Sequence, residues 1–499
     1  MLPEVFKLYG KIVYDELLSH FSNCKKWGIF LKVKHPSKQL HLYHINDLHS
    51  HFENWPKIRR YLNQKKQEHE ENNEDVLIFD IGDFLDRVHP LTEATNGKAN
   101  VQLMNRVAFD AVTIGNNEGI GNTKTVLNQL FQEAKFPVVL GNLFDIEDKN
   151  LPDWAQPYII LVLENGIRVG VTGLTAPLYL SYLPNGWQPK ESYEVLPELL
   201  QEMKPKTDII ILLSHMGIIE DEHMAEMYQD LDVIMGAHTH HVLPQGRLID
   251  GTMLTGGGKW GEYIGHTIVC YSEEKVITSI KTELITCADL PELRLDEIEI
   301  NRLWDKGIEM LREEEIADIP FTLETEWYNH TDLVDLGLEA ITEFANIDIG
   351  ILNSGLFLDD LPAGIISKET MHHILPHPMR LISCKMSGQN FCDLIFGMEK
   401  MREELRVRQV TGMGFRGKIF GEICYKGIKV DTDNKIIYYN GTIIQKGDTI
   451  KFVTVDHYRY VSFFPLIENK GESELLFPYF LRDVVSKYLE DHFPILYSK

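Results

Sequence analysis

Residues 232–240 read DVIMGAHTH, and the way this run ends decides the fold. Val233, Ile234 and Met235 are a short apolar stretch closed by Gly236, the pattern of a strand covered on both faces. The chain then leaves through Ala237, His238, Thr239 and His240. Residues two apart in extended chain face the same side, so His238 and His240 are expected to point at one place. The same kind of ending recurs in LHLYHIND (40–47), DVLIFDIGD (75–83), AVTIGNN (111–117), PVVLGNL (137–143), RVGVTGLT (168–175) and DIIILLSH (208–215). Each run finishes at or near Asp, Asn, His or Gly, and amphipathic segments separate them. That is the layout of a layered α/β domain with functional groups at the carboxyl ends of its strands.

Read together, the strand ends carry Asp47 and His49, then Asp83, Asn116, His215, His238 and His240. A single histidine after a strand is more often a satisfied polar residue than a ligand. Successive ends that supply only Asp, Asn and His are a different matter. Such a set suits two divalent ions sharing a bridging carboxylate, which activate a water and neutralise a phosphoryl group. Mixed carboxylate, amide and imidazole ligation fits Mn²⁺, Zn²⁺, Fe²⁺ or Co²⁺ better than Ca²⁺. With no cysteine in the set, a closed structural zinc site does not fit.

The totals narrow the class. At 499 residues the chain is long for one core, and two or three domains are expected. A balance of 49 basic against 74 acidic residues gives −25, which argues against a nucleic-acid polymer or an anionic membrane as partner. A small anionic substrate stays compatible, because bound metal reverses the local field. The first residues lack an apolar core of the secretory type, no apolar run is long enough for a membrane span, and six scattered cysteines form no C-x-x-C pair. A cytoplasmic enzyme, monomeric or homodimeric, is the expectation.

The order D-x-H, G-D, G-N-[HN]-E, S-H, G-H-x-H resembles the calcineurin-like metallophosphoesterases, with one departure, an alanine after the glycine in G-A-H-T-H (236–240). Its spread, with a further α/β unit downstream, is similar to the two-domain 5′-nucleotidase and UDP-sugar hydrolase branch. The resemblance implies a four-layer α/β/β/α metallophosphoesterase domain (40–287), a linking helix (288–320) and an α/β specificity domain (321–499), preceded by an extension of unassigned role (1–39). It implies one ion held by Asp47, His49 and His240, a second by Asn116, His215 and His238, and Asp83 bridging them. In TIGNNEGIG (113–121) the family's catalytic histidine after the metal-binding Asn is replaced by Asn117, and its Asp partner is absent. An amide can hydrogen-bond a phosphoryl oxygen but cannot deliver a proton. His89, in DRVHP, is the candidate substitute acid.

Downstream, LPELRLDEIEINRLWDKGIEMLREEE (290–315) has apolar residues at helical spacing among many charges and reads as an exposed linking helix. ILNSGLFLDDLPAG (351–364) resembles the family's N-S-G-G-I-R segment, keeping Asn353 but lacking the arginine. Arg380 and Arg416 are candidate replacements. Phe415 and one of Phe463 or Phe464 stand where the family stacks a nucleobase between aromatic rings. The expected substrate is a nucleotide or related phosphate ester. The alternatives are a diester or pyrophosphate substrate, or a weakened nucleotide-binding protein.

Overall fold

The computed structural model describes residues 38–410, 412 and 414–496. The extension expected at 1–39 lies outside them except for Lys38 and Gln39, which open the first strand. Two sheets stack in the first domain. One runs, in spatial order, Ile277–Thr286, Tyr263–Tyr271, Lys38–Ile45, Asp75–Asp80, Ala111–Val112, Val138–Val139 and Ala155–Gln156. The other runs Arg247–Ile249, Thr252–Gly256, Val233–Gly236, Ile209–His215, Arg168–Thr175 and Tyr158–Val162. Parallel pairing joins the strands whose ends carry Asp47, Asp83, His215 and His238, so all these exits lie at corresponding ends of the sheets.

Three apolar clusters account for the layers. Leu40, Leu42, Leu77 and Phe79 from one sheet meet Val169, Ile211, Leu213 and Met235 from the other. Tyr43, Ile78 and Val112 on the outer face of the first sheet meet Trp55, Ile58 and Leu62 of helix Trp55–Glu71. On the far side Leu212 and Ile234 meet Leu196, Leu199 and Met224 from helices Ser192–Met203 and Ile218–Met227. The central strands are therefore covered on both faces, as continuous apolar runs require, and the order is α/β/β/α.

The second domain is a five-stranded sheet in the order Ile423–Lys426, Gly350–Asn353, Thr449–Val455, Arg380–Ser387, Glu472–Phe480. Helices Asp332–Ala345, Gly388–Val407 and Leu481–His492 cover it around one core. Between the domains runs helix Arg294–Arg312. It is less exposed than its charges led us to expect. Leu303, Gly307 and Leu311 are buried, and Arg59 and Arg60 fix its first turns through Glu299 and Asp296. A Cβ at Gly307 would stand 2.1 Å from the backbone nitrogen of Leu91, so only glycine allows this approach. The next strand, Glu315–Ile319, pairs with Gly364–Ser367 in the second domain.

The two domains meet through charged groups. Arg416 Nη2 bonds Asp86, Arg482 Nη2 bonds Glu93, and His372 Nε2 donates to the carbonyl of Arg87 at 2.8 Å. Among the described residues no helix is long and apolar enough to cross a membrane.

Candidate metal centre

The strand exits are held in an unusual backbone. Asp47, His49, Asp83, His238 and His240 all have positive φ, between 49° and 72°. Non-glycine residues seldom occupy that region, and a concentration of them marks strain kept for function. Backbone bonds lock it: Asp47 N to Gly82 O at 3.0 Å and His49 N to Asp83 O at 2.8 Å. Gly115 is required by closeness, since a Cβ there would lie 2.1 Å from Asp83 Oδ1.

These exits bring seven side chains together. His49 Nε2 lies 3.2 Å from His240 Nε2, and 3.7 Å from both Asp47 Oδ1 and Asp83 Oδ2. His240 Nε2 is 3.5 Å from Asp47 Oδ1. His215 Nε2 is 3.4 Å from Asp83 Oδ2 and 3.9 Å from Asp47 Oδ1. His238 Nδ1 is 2.8 Å from Asn116 Oδ1, and its ring stands 5.3 Å from that of His215. Asp47, His49 and His240 form one group with donor atoms within 4.8 Å of one another, and Asp47, Asp83 and His215 form another. In this arrangement Asp47 belongs to both groups, while Asp83 Oδ2 also faces both His49 and His215.

The chemistry of this donor set fits cations. His215 donates its Nδ1 proton to Ile81 O at 2.8 Å, which leaves a buried Nε2 with no hydrogen-bond partner. Burial alone would lower the His215 pKa, but Asp83 and Asp47 raise it to about 10, so positive charge is favoured at that nitrogen. Burial opposes ionisation of Asp83 too, yet His215 and His49 hold it well below the usual carboxylate range. His238 is lowered to about 4 by burial and by His215, and is a neutral donor.

Two residues beyond that set build the floor. Glu118, buried, accepts from Asp83 N (2.9 Å), Gly115 N (2.8 Å) and Leu85 N (3.0 Å), tying the Asp83 loop to the Asn116 loop. Asp86 Oδ2 lies 3.5 Å from His49 Nδ1 and also receives Arg416 from the second domain. The sequence reading gave neither a role. The G-N-[HN]-E block already contains Glu118, and its place in that block was the available signal.

The remaining candidates fall elsewhere. Asn117 sits at the centre: its backbone N–H donates to Asp83 Oδ1 at 2.7 Å, and its Nδ2 lies 2.8 Å from His49 Nδ1 and 2.9 Å from Leu85 O. His89 is not at the centre. Its Nδ1 caps the short helix Pro90–Thr95 by accepting from Leu91 N, and its ring packs on Phe52 and Trp304. Its ring is thus engaged in capping and packing.

Asn353 is also structural here. It is 1% exposed, donates to Phe420 O and accepts from Tyr458 OH at 2.8 Å. Phe415 is buried, with His377 stacked on it at 5.2 Å and His457 at 5.7 Å. Phe464 is buried in the core, whereas Phe463 is half-buried under the guanidinium of Arg408. Arg380 is buried against the rings of Phe477 and Phe480. Of the second-domain candidates, Arg416 is the one that touches the floor of the centre.

Stacked sheets with ligand-type residues at their strand ends define a metal-dependent hydrolase of phosphate esters. The family model for calcineurin-like phosphoesterases matches residues 40–242. The chain is 37% identical to the metallophosphoesterase YunD of Bacillus subtilis over 461 residues, covering 90% of this chain and 98% of that one. It belongs to the calcineurin-like metallophosphoesterases, whose members use a dinuclear divalent metal centre. A 5′-nucleotidase of Vibrio cholerae is 24% identical over 427 residues, covering 72% of this chain and 75% of that one. The fold matches a putative 5′-nucleotidase from Staphylococcus aureus with a TM-score of 0.65 at 17% identity, covering 92% and 98% of the two chains. It matches the Haemophilus influenzae NAD nucleotidase with a TM-score of 0.62, also at 17% identity, covering 92% and 97%.

Proposed function

We propose that this metallophosphoesterase acts on nucleotides or closely related phosphate esters. Asp47, His49 and His240 would hold one ion, Asn116, His215 and His238 the other, with Asp83 between them. Two divalent ions, of the Mn²⁺, Zn²⁺, Fe²⁺ or Co²⁺ class, supply Lewis acidity toward a phosphoryl group and activate water. The observation that carries the assignment is the buried, unpartnered His215 Nε2 facing Asp83 and Asp47. The nucleotide part is supported by the relatives named 5′-nucleotidase.

The chain's own residues orient and hold. Ile81 O keeps the His215 proton on Nδ1 and so aims the Nε2 lone pair inward. His49 Nδ1 faces Asn117 Nδ2 at 2.8 Å and Asp86 Oδ2 at 3.5 Å, which turns its Nε2 toward Asp47 and Asp83. Glu118 fixes the loop that presents Asp83. Asn117, turned toward His49 and Leu85 O, gives a leaving group no proton. That favours substrates whose leaving groups depart without one, and makes pyrophosphate or diester hydrolysis the second reading.

A panel of nucleoside monophosphates, UDP-glucose, a cyclic nucleotide and an activated aryl phosphate tests this, with wild type and Asp83→Asn at fixed Mn²⁺. Metal-dependent turnover of one nucleotide class, lost in Asp83→Asn, is the expected outcome. Turnover of the aryl phosphate alone would overturn the nucleotide assignment.

A further inference from the structure

A second histidine group lies in the first domain away from the strand exits. His41 is on the first strand, six residues before Asp47, roughly 20 Å along extended chain. His41 and Tyr43 share a strand face, and His266 on the neighbouring strand pairs with Tyr43. His69 comes from the last turn of helix Trp55–Glu71, which covers that face. One ring nitrogen from each of His41, His69 and His266 lies within 4.8 Å of the others.

The protons on these rings can be placed. His69 Nδ1 is 2.7 Å from Glu74 Oε2, and His266 Nδ1 is 3.0 Å from Glu283 Oε1. A carboxylate only accepts, so both histidines carry their proton on Nδ1 and keep a lone pair on Nε2. His266 Nε2 faces His41 Nδ1 at 3.0 Å, and His69 Nε2 faces Tyr43 OH at 3.0 Å. The other nitrogen of His41, Nε2, is buried and has no hydrogen-bond partner, in a side chain only 6% exposed. Carboxylates on the outer nitrogens and lone pairs on the inner ones are the arrangement that orients imidazoles for a metal. Burial, reinforced by His69 and His266, lowers the His41 pKa to about 4, so it is a neutral donor.

We propose that His41, His69 and His266 bind one borderline divalent cation of the Zn²⁺ class, separate from the dinuclear centre. An all-imidazole set does not suit Ca²⁺ or Mg²⁺, which take oxygen ligands. Bonds of about 2.0–2.1 Å at tetrahedral angles put ligand nitrogens about 3.3–3.4 Å apart, so the three rings must tilt and draw in. His69, half-buried at a helix end, is the residue that turns from its stack on His41 (ring centroids 4.0 Å apart), giving up its bond to Tyr43 OH. The ion replaces the His41–His266 and Tyr43–His69 hydrogen bonds, the His41 proton moves from Nδ1 to its unpartnered Nε2, and water takes the fourth position. Its role is mechanical: it ties the end of helix Trp55–Glu71 to strands Lys38–Ile45 and Tyr263–Tyr271.

The test is metal stoichiometry on the full chain. Protein stripped with chelator is titrated with Zn²⁺, and tightly bound metal per chain is measured for wild type, His41→Leu and His69→Gln. Each variant should bind one equivalent less than wild type while hydrolysing an activated aryl phosphate at the wild-type rate. The one-equivalent difference should persist when His69→Gln is placed in an Asp83→Asn background, which separates it from the strand-end centre. Co²⁺ loading should show a visible absorption component that His69→Gln removes. Equal stoichiometry in wild type and His69→Gln would overturn the proposal. His69 is half-buried, so His69→Gln carries the test if His41→Leu does not fold.

Discussion

The strand exits of the first domain and the loop region of the second were read by the same reasoning, and they answered differently. At the exits, Asp, Asn and His occur where a buried strand would otherwise continue with aliphatic residues, and metal chemistry is the one common explanation for such a set. In the second domain the candidates were Asn, Arg and Phe, and each of these has an ordinary structural use. Asn353 bridges Phe420 O and Tyr458 OH, Phe415 lies against two imidazoles, and Arg380 lies against two phenylalanines. A residue type with few structural uses is informative from sequence; one with many is not.

The contrast can be broken most sharply at Asp83. Asp83→Asn should reduce kcat by at least about 100-fold with a parallel fall in bound metal, measured by elemental analysis beside initial rates. Near-normal rate and metal content would remove the bridging role. Glu118→Gln should cost about 10–100-fold through displacement of the Asp83 loop, with rescue by excess Mn²⁺. A wild-type metal affinity in that variant would reduce Glu118 to a loop bond without influence on the centre.

On the other side of the comparison, Phe415→Ala should destabilise the second domain by about 3–5 kcal/mol, as deletion of a buried ring does. Its effect should appear in the unfolding midpoint rather than in a KM rise confined to nucleotides. A selective KM rise at unchanged stability would restore Phe415 as a base-stacking residue.

The seam between the regions titrates. Burial opposes ionisation of Glu93, but Arg482 and Arg87 lower its pKa from 4.5 to about 2. A lowered carboxylate contributes stability above its unfolded pKa and loses it as pH falls toward the folded one. The loss therefore belongs between about 4.5 and 2, and amounts to a few kcal/mol at most. Glu93→Gln should flatten that part of a stability–pH curve; an unchanged curve would mean other carboxylates govern it. The smallest effect is expected at Asn117→His. A few-fold gain on alkyl phosphates, with none on aryl phosphates, would show that proton delivery limits the wild type. Equal change on both would show the opposite.

Most of the first domain was legible because its strands are apolar runs with polar ends, so strand position and site position are one signal. Both faces of the central strands are covered, which is why continuous apolar runs rather than alternation marked them. The supporting carboxylates were hidden for a physical reason. Glu118 and Asp86 act through contacts between loops distant in sequence, and glutamate and aspartate in loops are ordinarily solvated. His89 is six residues from Asp83 in sequence, yet its ring caps a helix and packs on Phe52 and Trp304, a use that its spacing from Asp83 does not reveal. The linking helix looked exposed because its buried stripe is built from Leu303, Gly307 and Leu311, and a glycine leaves no mark on a hydropathy pattern.

That glycine sets an alignment. At Gly307 the linking helix lies flush on the backbone of Leu91, and Leu91 opens the turn that carries Glu93 to Arg482. The missing side chain acts as a machined flat between two plates: it fixes the tilt of the rod from which the second domain hangs. Alanine there would be a shim a single methyl thick, and the rod would lever outward along its length. The displacement would be greatest at its far end, where Glu314 hands the chain to the second domain, so Arg416 would be carried off Asp86 by a change made nowhere near either.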